Sequence, residues 1–182
     1  MQAVSIYNRL VALDKQCDNG FSQIEIQLKR RYDLIPNLVE TVRGYMDHER
    51  ETLESVIAAR NQASQQLSNA SKAGGDPKAV KSWMGAESVL SGAMGKMSFV
   101  MENYPELKAN QNFLELQAQL EGTENRINVA RDRFNEQVNI YDIHTTKFPG
   151  KILAGWFGFE EMARYKADPG SENAPDVEFD FN

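Results

Sequence analysis

Apolar residues recur along most of the chain at alternating intervals of three and four, the repeat of one face of an α-helix. A first stripe runs Ile6, Leu10, Leu13, Cys17, Phe21, Ile24 and Leu28. A second runs Val39, Val42, Met46, Glu49, Leu53, Val56, Arg60, Ala63 and Leu67. A third runs Val80, Trp83, Glu87, Leu90, Met94, Met97 and Met101. The fourth is the cleanest: Phe113, Leu116, Leu120, Thr123, Ile127, Ala130, Phe134, Val138 and Tyr141. A repeat close to 3.5 is the seam of antiparallel helices crossing at shallow angles. Period-two alternation appears only near the C-terminus, at Val177, Phe179 and Phe181, so the pattern predicts an all-α fold without a sheet.

The breaks between stripes carry turn and capping chemistry. Gly74 and Gly75 suit the left-handed end of a helix, and Asp76 followed by Pro77 suits the start of the next. Asn103-Tyr104-Pro105 ends the third stripe, and Asn110 or Asn112 can cap the fourth. Phe148-Pro149-Gly150 stops it, because a residue before proline avoids helical torsions. The first break is placed at Arg30 to Leu38, with Asp33 as N-cap and Pro36 in the first turn of the second helix. The rival, one kinked helix over residues 3–70, would run roughly 100 Å, too long for a small domain to cover. Four helices follow, at about 3–32, 35–70, 77–102 and 110–147. They predict an antiparallel four-helix bundle with long helices, followed by a short C-terminal segment and an acidic tail. Residues 1–166 read as one domain whose residues 148–166 cap the bundle, and 167–182 as an extended tail. The stripe at the start has no capping residue before it, which reads as a helix cut midway and an upstream segment.

Charge refines this picture. The 26 acidic and 20 basic residues give a net charge of -6 and an isoelectric point near 5.0, against the basic footprint of a nucleic-acid binder. Five of the acids (Asp168, Glu172, Asp176, Glu178 and Asp180) fall in the last sixteen residues, which hold no Lys or Arg. That tail is either a solvated extension or a docking arm that lays Val177, Phe179 and Phe181 along an apolar groove.

The reactive inventory is small. A single cysteine, Cys17, excludes an internal disulfide and sits in an apolar stripe, where it reads as a buried, inert thiol. A di-iron bundle site needs two Glu-x-x-His pairs, but His48 and His144 follow Tyr45 and Tyr141 at that spacing. No Gly-x-Ser-x-Gly or phosphate-cradling glycine loop is present. No catalytic residue, metal or cofactor is expected. Polar residues do intrude on the seams at Glu49, Arg60, Glu87 and Thr123. They read as an interior polar network that fixes helix register, or alternatively as a ligand site inside the bundle.

Several blocks stand in order along the chain: Ile24-Glu25-Ile26-Gln27-Leu28-Lys29 with Arg30 through Val42, Tyr104 through Gln117, and Glu124-Asn125-Arg126-Ile127 through Ala130-Arg131. Phe134-Asn135, Tyr141-Asp142, Phe148-Pro149 and Gly155-Trp156-Phe157-Gly158-Phe159 complete the set. Together these blocks resemble the LemA family. The resemblance implies a bacterial helical bundle behind a single N-terminal transmembrane helix, linked to cell-envelope physiology, and supplies no catalytic residues. Arg9 and Lys15, just after such an anchor, favour a cytoplasmic body.

With an anchor before the first helix, an up-down bundle turns the Gly74 loop and the segment Lys147 to Phe159 toward the bilayer. That end would carry Arg9, Lys15, Lys72, Lys78, Lys81, Lys147 and Lys151 beside Ile152, Leu153, Trp156, Phe157 and Phe159. Lys151, Trp156, Phe157 and Phe159 are the candidate membrane-interface residues. The expected function is a non-enzymatic scaffold or adaptor of the bacterial envelope, with an envelope protein as partner and no nucleic acid. The alternative is a small-ligand sensor or enzyme using the interior polar residues.

Overall fold

The computed structural model describes residues 2–46, 48–74, 76–160, 162, 164 and 165. These described residues form five helices in order: α1 (Gln2–Arg43), α2 (Arg50–Lys72), α3 (Pro77–Met101), α4 (Gln111–Thr146) and the short α5 (Gly150–Phe157). A single 3₁₀ turn, Leu107–Ala109, lies between α3 and α4. Among the described residues the structure is helical and without strands, and the four long helices form a bundle.

The first break is not where the sequence placed it. Instead of ending near Tyr32, α1 runs straight through Pro36 to Arg43, and the turn falls at Gly44 to Glu49. Proline at position 36 has no N–H to give the carbonyl of Tyr32 one turn earlier. Arg60 of α2 supplies the missing donor: its Nε donates to the Tyr32 carbonyl oxygen at 2.7 Å. Asp33 is therefore a mid-helix residue, 3.5 Å from the Arg60 guanidinium, and caps nothing. The other caps lie where expected. The Asp76 side chain accepts from the N–H groups of Lys78 and Ala79, with Pro77 opening α3, and Asn110 accepts from Phe113.

The helices associate unequally. α4 runs antiparallel to α1 along most of its length, and α3 packs chiefly on α2. Asn110 with Tyr45, Glu124 with Arg31, and Gln137 beside Gly20 mark the α1–α4 register. Gly20 leaves room for the Gln137 side chain, since a Cβ there would come within 2.3 Å of its Oε1. Gly92 and Gly95, by contrast, face open space on α3 and serve no close approach. Ser71, in the last turn of α2, donates to Glu25 of α1. The α2–α3 pair therefore stops level with about residue 22 of α1, and the N-terminal part of α1 and the end of α4 project past it.

That projecting end has its own small core, in which Leu10 meets Leu153 and Ala154 of α5, flanked by Ile6 and Phe159. The α4–α5 corner needs glycine: a Cβ on Gly150 would lie 2.0 Å from the His144 carbonyl oxygen. Gly158, at φ +73°, ends α5 in the left-handed conformation and turns the chain back along α4. The returning strap is pinned at successive points. Tyr141 donates to the Glu160 carbonyl, Arg164 pairs with Asp142, and the Asn135 amide bonds both the N–H and the C=O of Tyr165. The Tyr165 ring lies 5.2 Å from that of Trp83, with the Arg131 guanidinium over it at 4.0 Å. The acidic tail expected at 167–182 lies outside the described residues.

Removing the Arg60 donor with Arg60→Met should lower stability by about 1–3 kcal/mol, the cost of a buried carbonyl left unpaired. Pro36→Ala restores an in-helix donor. In that background the same substitution should cost less, which a double-mutant cycle by urea unfolding measures.

Candidate functional site

Among the described residues the most buried charged side chain is that of Glu87, whose residue is only 3% exposed. One oxygen accepts from Tyr32 Oη and the other from Arg31 Nη2. Arg31 also donates through Nη1 to Glu124 at 2.8 Å, and Trp83 Nε1 donates to Tyr32 Oη at 3.2 Å. Burial opposes the charge on Arg31, but Glu87 and Glu124 overcome it and hold its pKa above the ordinary value. Burial, then Glu87, pushes the Tyr32 phenol well up. Both oxygens of the carboxylate thus accept a hydrogen bond, and the cluster ties α1, α3 and α4 into one register.

Sequence reasoning expected Glu49, Arg60, Glu87 and Thr123 to share one network, and the structure does not bring them together. Glu87 is at the centre, but Arg60 serves the Tyr32 carbonyl instead. Glu49 lies in the turn before α2 and makes no side-chain cap bond. It looked like a seam residue only because the second stripe was read through that turn. Thr123 is buried and satisfies itself by donating to the Gln119 carbonyl of its own helix. Arg31 and Tyr32 escape notice because the Arg30–Leu38 stretch reads as a turn, and Glu124 of α4 because it lies off the apolar seam and is identified only through its pairing with Arg31. Arg31 and Tyr32 fall three and four residues after Leu28, on the continuing stripe, and that spacing was the available signal.

The second feature is α5 with its flanks. Trp156 is 78% exposed and Phe148 81%, and Ile152 is exposed one turn before Trp156 on the same face. Lys147 and Lys151 are exposed beside them. Phe157 is also exposed but leans on Tyr7, with ring centroids 4.6 Å apart. Phe159 is half-buried and turns to Tyr7 and the small core. The outward face is therefore Phe148, Ile152 and Trp156, with Lys151, while Phe159 is structural. The Gly74 loop does not share this end. It stands beside Asp18 and Ser22, about 20 Å down α1 from Tyr7 at 1.5 Å per residue. Lys72, Lys78 and Lys81 are set back with it.

Cys17 is buried and lies against Phe21 and Phe134. Burial, reinforced by Asp14, Asp18 and Asp142, pushes its thiol up to about 11. Among the described residues no group of three or more His, Cys, Asp or Glu is placed to hold a metal ion, and no helix is long and apolar enough to cross a membrane.

A protein-family model described as the LemA family matches residues 20–179. Magnetosome protein MamQ of Magnetospirillum gryphiswaldense is 26% identical over 181 residues, covering 91% of this chain and 66% of its own length. Magnetosome protein MamQ 2 of Paramagnetospirillum magneticum is 24% identical over the same shares. Protein LemA of Metamycoplasma hominis is 26% identical over 149 residues, 82% of this chain and 60% of its own. The chain spans 60% to 66% of the length of these relatives.

Two outcomes follow from the buried groups. Glu87→Gln should destabilise the protein by about 3–5 kcal/mol in urea unfolding, because it breaks a buried ion pair. The Cys17 thiol ionises first in the unfolded chain, near its model value of 9.0, and only near 11 in the folded protein. Stability is therefore full below pH 9 and falls as pH rises from about 9 to 11. Cys17→Ala should make that part of the profile shallower, leaving the fall that Tyr32 and Tyr141 contribute above about pH 10, measured as the urea midpoint against pH.

Proposed function

The chain belongs to the LemA family, and we propose that it is the helical body of a membrane-anchored protein of the bacterial envelope. In this reading it acts as a non-enzymatic scaffold or adaptor, and its α5 end lies against a lipid surface. The observation that carries the reading is the outward face of Phe148, Ile152 and Trp156 beside Lys147 and Lys151. A compact protein gains nothing from holding Trp and Phe in water, and large exposed apolar patches mark surfaces for partners or membranes. Aromatic rings sit well at the headgroup level, and lysines reach anionic headgroups from beside them.

The position of this face supports the same reading. α5 packs on the N-terminal part of α1 through Leu10, Tyr7 and Ile6. A transmembrane segment preceding α1 would therefore meet the bilayer at the end where α5 presents its aromatic face. Arg9 and Lys15, following such an anchor, would place the body in the cytoplasm. In support of a scaffold over an interior ligand site, each oxygen of the Glu87 carboxylate is already held, one by Arg31 and the other by Tyr32. The rest of the bundle surface is then left for an envelope protein partner.

Flotation of the purified chain with phosphatidylglycerol–phosphatidylethanolamine vesicles tests the reading. The wild type should bind, and Phe148→Ser with Trp156→Ser should weaken binding about tenfold or more, since each ring contributes ~1.5–3 kcal/mol on burial. Helix content by circular dichroism should be unchanged. Binding that survives both substitutions rejects the α5 interface.

A further inference from the structure

α3 differs from the other long helices on the side it turns to solvent. Trp83, Glu87, Leu90 and Met97 are buried on one side of it. On the opposite side Lys81, Gly85, Ser88, Gly92 and Phe99 recur at helical spacing, with Val89 and Lys96 alongside, and all are exposed. Phe99 is 71% exposed, the most of any large apolar residue on the four long helices among the described residues, and Val89 is 56% exposed. The face is separate from α5, which packs on α1 and α4.

Glycine shapes this face, and its charges run against the helix. Glycine is the poorest helix former after proline. α3 nevertheless holds Gly85, Gly92 and Gly95, where α1 and α4 hold one glycine each and α2 none. A Cβ on any of the three would meet nothing of the chain within 4 Å, so they admit no neighbour from inside it as Gly20 does. Beyond the Asp76 cap, Lys78 and Lys81 stand in the first two turns of α3, and Glu102 stands at its C-terminal end. The helix dipole favours the reverse order, anions first and cations last. The remaining charges of α3 are Lys96, on the same exposed face, and Glu87, in the core. Lys78, Lys81, Lys96 and Glu102 make no ion pair with another described residue.

We propose that this face of α3 binds the same face of a second copy of the chain, antiparallel and crossing near Gly92. Residues equally far on either side of Gly92 then meet. Phe99 reaches the level of Gly85 of the second copy, where the missing side chain leaves room for its ring. Val89 comes level with Gly95, beside the aliphatic stem of Lys96. Lys81 comes within one residue of the level of Glu102, which puts an ion pair at each end of the seam. Lys78 lies beyond it, level with the exposed Glu106 in the turn after α3. Each end of α3 also meets the opposite end of its twin, so charges misplaced on one helix are well placed on the pair. A parallel pair fits worse, because it stacks Phe99 on Phe99, sets each lysine against its twin and leaves the glycines facing one another. The seam from Lys81 to Glu102 is about 32 Å long and one helix diameter, about 10–12 Å, wide. That area falls short of the roughly 1,200 Å² of a stable complex, so the dimer is weak and reversible. The inference does not depend on the lipid reading, since α5 and this face are different surfaces.

Sedimentation equilibrium of the purified chain at up to about 1 mM tests it, with an expected dissociation constant on the order of 100 µM. Gly92→Leu should raise that constant about tenfold or more by blocking the crossing point. Its thermal unfolding should move up, because leucine is the better helix former, so a lost dimer is not a lost fold. Lys81→Glu should weaken the dimer about threefold or more, and adding Glu102→Lys should restore it. Disulfide formation in a Cys17→Ala background reads the orientation. Gly92→Cys should oxidise to a dimer at least about tenfold faster than Gly85→Cys, whose two copies lie about 21 Å apart along an antiparallel seam. A monomer at every concentration would overturn the proposal, as would a Gly92→Leu protein that dimerises like the wild type. Equal oxidation at the two positions would overturn the antiparallel pairing and its contact of Phe99 on Gly85.

Discussion

The architecture depends on one hydrogen bond, from Arg60 Nε to the carbonyl of Tyr32. Proline inside a helix removes a donor and crowds the carbonyl one turn back, at a cost of about 3 kcal/mol or more. Here that carbonyl is inside the protein, where lack of a partner would be most costly. A guanidinium from the neighbouring helix meets the need, and α1 continues for two further turns to Arg43. Everything else is arranged around this long rod. α4 lies along it, α2 runs back beside it past the proline to Glu25, and α5 closes on its beginning. Tyr32 serves twice: its main chain receives α2, and its hydroxyl joins Glu87 and Trp83 of α3.

The fold class was legible in the sequence because helical spacing dominates every stripe, and Asp76 and Asn110 supply caps where the third and fourth helices begin. The first turn was misplaced for a physical reason. Local rules treat an Arg-Arg-Tyr-Asp-Leu-Ile-Pro run as a helix end, but the donor that cancels the effect of Pro36 comes from twenty-four residues further on. The hydrophobic repeat did hold the answer. Ile24, Leu28, Tyr32, Ile35, Val39, Val42 and Met46 keep helical spacing across the proline, and all are buried. Periodicity reported the tertiary outcome where the propensity of single residues did not.

The candidate surfaces show the same division. Trp156 and Lys151 could be picked out because aromatic and basic residues cluster in a short segment, whereas the inward turn of Phe159 depends on the reversal at Gly158. Glu87 was conspicuous as a carboxylate in an apolar seam, but its partners could not be read from charge alone. Arg60 and Arg31 are both cations near the right level, and the helix register chooses between them. Thr123 lay outside that choice, since a threonine can satisfy itself on its own helix.

The unequal lengths of the helix pairs have an electrostatic consequence. The α1–α4 pair acts as a stalk that holds the α2–α3 end about 20 Å back from the tip, measured at 1.5 Å per residue. That is more than twice the screening length of about 8 Å at physiological salt. With the tip on a bilayer, Lys72, Lys78 and Lys81 would stand too far off to feel its surface charge. Adhesion would then rest on a few apolar side chains and the lysines next to them. It would respond weakly to ionic strength and to the fraction of anionic lipid, as a hydrophobic foot does and a polybasic patch does not.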